Sequence, residues 1–142
     1  MYLFDTTHCI RFMFGDFSLK LKHGTQIATC LVVQGELMYG VHKSELFFEN
    51  LHKVERFLAD IKVYGLNNET ANTYGKIKAM ILNLFGPKDK IKRRNITTES
   101  LGFKENDLWI AAIAIQHKLI LVSADSDMLR LDGIEGLKVE NW

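Results

Sequence analysis

Asp5 closes the apolar run Tyr2-Leu3-Phe4 and is followed at once by Thr6 and Thr7. A short apolar strand ending in a carboxylate delivers that charge to the crevice beyond the strand ends, where open parallel sheets bind their ligands. Three more acids stand in comparable settings: Glu36 in Gln34-Gly35-Glu36-Leu37, Asp107 in Asn106-Asp107-Leu108-Trp109, and Asp125 directly after the apolar run that starts at Leu119. Carboxylates gathered within a few ångströms repel one another and take up protons unless a cation neutralises them. An all-oxygen set suits a hard divalent ion, Mg²⁺ or Mn²⁺, which keeps several waters and favours phosphate oxygens as its remaining ligands. The chemistry implied is phosphoryl transfer.

The chain holds 17 acids, so spacing alone selects none of them, and each candidate has an ordinary structural role to set against a metal-binding one. Asp107 suits a helix-dipole partner in a first turn. Asp125 suits a turn, because Ser123-Ala124-Asp125-Ser126-Asp127 is rich in turn formers. Glu36 suits a solvated helix position. For Asp5, directly after a buried strand, no stabilising role is evident from the sequence.

The elements that must position these acids alternate along the chain. After the first strand, Thr6 or Thr7 can cap a helix over residues 7–13, and residues 15–24 read as a loosely structured connection. Residues 27–29 suit a short strand. Cys30, Val33, Leu37 and Val41 recur at helical spacing, with Glu36 at the edge of their stripe. Stronger helical patterns cover 44–62 and 68–84, separated by a candidate strand at 63–66; Gly86-Pro87 stops the second. The basic loop Lys88-Asp89-Lys90-Ile91-Lys92-Arg93-Arg94 follows. Asn106 is placed to cap a helix reaching His117, residues 119–123 form a β-rich buried run, and 137–140 suit an edge strand. Repeated strand-helix alternation predicts an α/β layered fold with a mostly parallel sheet, since parallel neighbours require helical crossovers.

Composition sets the frame. At 142 residues, 47% hydrophobic and 25% charged, the chain predicts one domain over residues 1–142 with its own core. A net charge of +1 leaves no strong overall field, so a polyanion must be met locally. Cys9 and Cys30 lack a CxxC spacing and read as reduced core thiols. With no signal segment and no run of membrane-spanning length, a cytoplasmic location is expected.

Taken together the motifs resemble the PIN-domain ribonucleases, and within them the VapC-type toxins of type II toxin-antitoxin pairs. Met1-Tyr2-Leu3-Phe4-Asp5-Thr6-Thr7 is similar to the family's opening, in which Thr-Asn follows the aspartate; Thr7 replaces the asparagine. Gly35-Glu36-Leu37-Met38-Tyr39-Gly40-Val41 resembles the glutamate-bearing helix, and Tyr74-Gly75-Lys76-Ile77-Lys78-Ala79 the mid-chain helix. Asn106-Asp107-Leu108-Trp109-Ile110-Ala111-Ala112 and Leu121-Val122-Ser123-Ala124-Asp125 resemble the third and fourth acidic motifs, and the stretch from Gly136 to Trp142 the terminal strand.

The resemblance implies a three-layer α/β/α domain in which Asp5, Glu36, Asp107 and Asp125 form a Mg²⁺ or Mn²⁺ site that cuts RNA. Thr7 would offer a hydroxyl in place of the amide, and Asp127 stands as an alternative fourth acid. Lys88, Lys90, Lys92, Arg93 and Arg94 are the densest cluster for backbone contacts to RNA. A homodimer and a cognate antitoxin are the expected partners. Leu46, Phe47 and Phe48 are the candidate surface, because adjacent residues on a helix point in different directions and one stripe cannot bury all three. The alternatives are a non-toxin RNA-processing nuclease and a catalytically silent RNA- or protein-binding PIN fold. A haloacid-dehalogenase-type phosphatase would want an aspartate where Thr7 stands, and a receiver domain would want an acidic pair before its first helix.

Overall fold

A computed structural model describes residues 1–15 and 21–142. Five short strands, β1 (Tyr2–Phe4), β2 (Ile27–Cys30), β3 (Lys62–Tyr64), β4 (Ile120–Val122) and β5 (Lys138–Glu140), form one sheet in the order β3-β2-β1-β4-β5, and every neighbouring pair is parallel. Leu3 and Phe4 of β1 and Leu121 and Val122 of β4 are wholly buried, as expected of continuous apolar runs sandwiched between helical layers. The expected α/β/α architecture with a parallel sheet is the one observed.

Topology decides where a site can form. From β1 the chain builds outward through β2 to β3, then returns to lay β4 against the other side of β1. The order therefore reverses between β1 and β4, and a crevice opens beyond the carboxyl ends of those two strands. Phe4 pairs with Val122, and the Asp5 N–H donates to the Val122 carbonyl at 3.2 Å.

Helices α1 (Thr6–Met13), α2 (Leu31–Lys43), α3 (Phe47–Asp60), α4 (Asn68–Phe85), α5 (Lys90–Arg93), α6 (Glu105–Gln116) and α7 (Ser126–Leu129) connect the strands. Several boundaries correct the sequence reading. Asp5 itself caps α1, rather than Thr6 or Thr7: it already has extended backbone as the strand ends, and its carboxylate accepts from the His8 N–H. α3 begins at Phe47 rather than Ser44, because the Ser44 hydroxyl accepts from Leu46 N–H and the Asn50 side chain and so forms a turn ahead of the helix. β3 ends at Tyr64, short of the predicted Leu66. Within the basic loop, Asp89 accepts from the N–H groups of Ile91 and Lys92 and organises the one-turn α5. Asn106 lies inside the first turn of α6, with Lys104 at the cap position. Asp125 caps the unforeseen α7. The predicted connection 15–24 falls partly outside the described residues.

α6 carries the third acid and is buried on most sides, through Leu108, Ile110, Ala111, Ala112, Ile113 and Ala114. α4 braces it. Tyr74 stacks on Trp109 with ring centroids 3.9 Å apart, and Glu105 binds both the Tyr74 hydroxyl and Lys78. At its start α4 has a capping box between Asn67 and Thr70, and the Gln116 side chain donates to the same Asn67 oxygen at 3.0 Å. Asn67→Ala should therefore cost about 1–2 kcal/mol, near the upper end for a lost cap. Thermal unfolding checks this: a melting temperature within about 1 °C of wild type would show that the cap contributes little.

Cys9 and Cys30 are buried free thiols, as expected, and burial pushes the Cys9 thiol up to about 12.

Candidate active site

The crevice at the β1/β4 reversal is a cleft of about 140 Å³ lined by Asp5, Glu36, Asp107 and Asp125, with Thr6, Thr7, Lys104, Ile110 and Ser123. Each acid arrives from a different element. Asp5 and Asp125 extend β1 and β4, while Glu36 projects from α2 and Asp107 from the first turn of α6. The four acids singled out in the sequence thus share one cavity.

Their partners differ, and so do their electrostatics. Asp5 Oδ1 accepts from both the backbone N–H and the ring Nδ1 of His8, each at 2.8 Å. Glu36 is held at both oxygens, by the Thr6 hydroxyl at Oε2 and by Asn106 Nδ2 at Oε1 (2.6 Å). Burial pushes Asp107 up to about 6; the negative charges of Asp125, Glu36 and Asp5 add to the rise, and Lys104 opposes it. Asp125 is held below the usual carboxylate range by the Asp127 N–H, with help from Lys104. The Lys104 ammonium donates to Asp125 Oδ2 at 3.3 Å.

Asp127 has a different place. Its carboxylate pairs with Arg130 at 2.8 Å and packs against Gly102, whose φ of 99° is one that side-chain-bearing residues rarely adopt and whose β-carbon would lie only 3.0 Å from that carboxylate. The Arg130 guanidinium sits 4.6 Å from the Phe85 ring centroid and 4.4 Å from that of Phe103. Asp125, and not Asp127, lines the cleft.

The basic cluster lies on and around α5. Arg93 donates to the carbonyls of Pro87 and Lys88 and to the Asn83 side chain, so it clasps the end of α4, whereas Lys88, Lys90, Lys92 and Arg94 are exposed. At the start of α3, Phe47 packs against the core while Leu46 and Phe48 are 59% and 83% exposed. Met38 and Tyr39 do not cover them; Tyr39 is itself 68% exposed.

Sequence reasoning missed Thr6, His8, Lys104, Asn106 and Ser123. Thr6 and Asn106 adjoin acids already chosen, and that adjacency was the available signal. His8 and Lys104 each fall three residues from one, a spacing that brings side chains together on a helix.

Among the described residues no three His, Cys, Asp or Glu side chains are in ligand geometry around one point. The donor set nonetheless fits a hard dication: it is all oxygen, and the burial that raises Asp107, with the smaller contribution of the neighbouring carboxylates, is what a divalent charge would offset.

Residues 2–134 match the family model of the PIN domain. The chain belongs to the PIN-domain family. This PIN domain is 26% identical to Ribonuclease VapC2 of Rickettsia felis over 149 residues, covering 100% of the chain and 98% of the relative. Among solved structures it resembles VapBC2 of Rickettsia felis bound to a DNA fragment from their promoter, with a TM-score of 0.72, 24% identity and coverage of 99% and 98%. It also resembles DNA-bound VapBC of Salmonella typhimurium, with a TM-score of 0.71, 22% identity and coverage of 99% and 97%. Among the described residues no helix is long and apolar enough to cross a membrane.

Proposed function

We propose that this protein, read as a single domain over residues 1–142, is a Mg²⁺- or Mn²⁺-dependent endoribonuclease. It acts in the cytoplasm as the toxin of a toxin-antitoxin pair. The observation that carries this reading is the convergence of Asp5, Glu36, Asp107 and Asp125 on one cleft of a PIN fold.

Asp5 and Asp107 are the principal ligands, with Asp125 and Glu36 completing the site directly or through water. When bound, the ion supplies charge neutralisation at the phosphate and a more acidic water for in-line attack. Thr6 and Asn106 hold Glu36 in one orientation, and the exposed hydroxyl of Thr7 orients water or a phosphate oxygen at the rim. Lys104 offers a cation beside Asp125 that can turn to an incoming phosphate. Lys88, Lys90, Lys92 and Arg94 meet the RNA backbone, while Arg93 shapes the helix that presents them. The expected products carry a 5′-phosphate and a 3′-hydroxyl. Purified protein incubated with single-stranded RNA tests the reading: cleavage should require Mg²⁺ or Mn²⁺ and stop in EDTA, and cleavage undiminished by EDTA would sink it.

Partner binding follows from the uncovered start of α3. Leu46 and Phe48 form the apolar surface on which a cognate antitoxin or a second copy of the chain docks. Phe48→Glu should weaken the antitoxin complex by roughly 10-fold or more, as loss of an exposed aromatic anchor does. RNA cleavage by the free protein should be unaffected. A folded Phe48→Glu protein that binds antitoxin with wild-type affinity would remove this helix from the interface.

A further inference from the structure

His8 is wholly buried on the inner side of α1, where an apolar side chain would pack without any need for a hydrogen-bond partner. Instead its ring joins two ends of the chain. Nδ1 lies 2.8 Å from Asp5 Oδ1, while Nε2 lies 3.1 Å from Arg11 Nη1 and 3.3 Å from the Trp142 backbone oxygen. Arg11 Nη1 also donates to that Trp142 oxygen at 2.7 Å.

The chemistry of these groups assigns the proton. A carboxylate only accepts, so the 2.8 Å contact to Asp5 Oδ1 places a hydrogen on Nδ1; a guanidinium only donates, so Nε2 turns its lone pair to Arg11 at 3.1 Å, and the Trp142 oxygen takes its hydrogen from Arg11 at 2.7 Å rather than from Nε2. With the His8 backbone N–H, that hydrogen occupies Asp5 Oδ1 twice over. Among the described residues Asp5 Oδ2 accepts no hydrogen bond, and Asp5 lines the cleft. Trp142 packs over the arrangement, its ring 4.6 Å from Tyr2 and 5.6 Å from Phe4.

We propose that His8 is a positioning residue, locked by Arg11 as the Nδ1–H tautomer, which holds Asp5 by Oδ1 and leaves Oδ2 as the single oxygen offered to a divalent cation. The proposal rests on the metal-site reading above. A residue that orients a metal ligand in this way commonly contributes 10–100-fold in metal affinity, without touching the ion. A histidine present only to fill the core would contribute to stability alone.

Mn²⁺ binding to the purified full chain, followed by calorimetry, separates these cases. His8→Leu should bind Mn²⁺ about 10–100-fold more weakly. His8→Asn, whose amide N–H can reach the place of Nδ1–H, should recover most of that loss. Arg11→Met, at a half-buried position, should weaken binding by a smaller factor by releasing the tautomer, and it decides the matter if His8→Leu does not fold. Nitrogen NMR of the wild-type imidazole should show a protonated Nδ1 and a bare Nε2. Wild-type Mn²⁺ affinity in folded His8→Leu or in Arg11→Met, or the opposite tautomer, would overturn the proposal. If Asp5→Asn abolishes Mn²⁺ binding while His8→Leu does not, the metal site stands and only the role of His8 fails. If the wild-type chain binds no Mn²⁺, both fall.

Discussion

RNA cleavage by Asp5→Asn should fall by more than about 100-fold, beyond what the loss of a residue merely supporting a ligand produces. The substitution is chosen for what it leaves intact. Asparagine is as good a helix cap as aspartate, and its side-chain oxygen can still accept from the His8 N–H, so α1 should start where it does now. Only the charge and one ligand oxygen are removed. The melting temperature of the metal-free variant should match or exceed that of wild type, because one of four mutually repelling carboxylates has gone. The measurement is cleavage of a single-stranded RNA in Mg²⁺ or Mn²⁺ beside a thermal melt. Wild-type cleavage by a folded Asp5→Asn protein would remove Asp5 from the chemistry.

Saturating metal should raise stability by about 2.7 kcal/mol at a concentration 100-fold above its dissociation constant, since the ion binds only the folded cleft. For a chain of this length that is on the order of 10 °C in melting temperature. The gain should depend on pH through Asp107, pushed up by burial to about 6 from an ordinary value of 3.8. Below about 6 the native Asp107 carries a proton that a cation must displace, so the metal-induced shift should shrink as pH falls through that value. Metal-free protein should behave in the opposite sense. Its native state holds the Asp107 proton more tightly than the unfolded chain, so this group's contribution is fully present below about 4 and is lost as pH rises through about 6. Asp125, whose carboxyl is held low, has the reverse dependence at lower pH, which makes the difference between wild type and Asp107→Asn the informative quantity. Equal pH profiles for those two proteins would contradict a buried Asp107 raised to about 6, and a melting temperature flat across a full Mn²⁺ titration would contradict the metal site.

Much of the fold is written locally. The strands that lead to Asp5 and Asp125 are apolar at every position because strands buried on both faces have no polar side; α2, α3 and α4 show themselves by a 3.6-residue stripe and α6 by a near-continuous apolar run. These patterns depend on neighbours in sequence and survive without knowledge of the rest of the chain. Caps were harder to read. Asp5 and Asp125 each serve both a helix N-terminus and the cleft, because a strand end that turns into a helix needs an acceptor at the point where a parallel sheet exposes its ligand crevice.

The amino-acid sequence by itself therefore determined the alternation of strand and helix, the parallel sheet, and which acids stand at strand and helix ends. Tertiary structure alone decided that β1 and β4 are neighbours, which is what brings Asp5 and Asp125 into one cavity with Glu36 and Asp107. It also decided that Asn106 reaches Glu36 across 70 residues instead of capping α6, that Asp127 turns to Arg130, that Arg93 is spent on the end of α4, and that a buried His8 lies between Asp5 and Trp142. Periodicity reports which face of an element is buried. Strand order and side-chain partners depend on contacts between distant segments, whose closure entropy and packing are settled only when the whole chain is assembled.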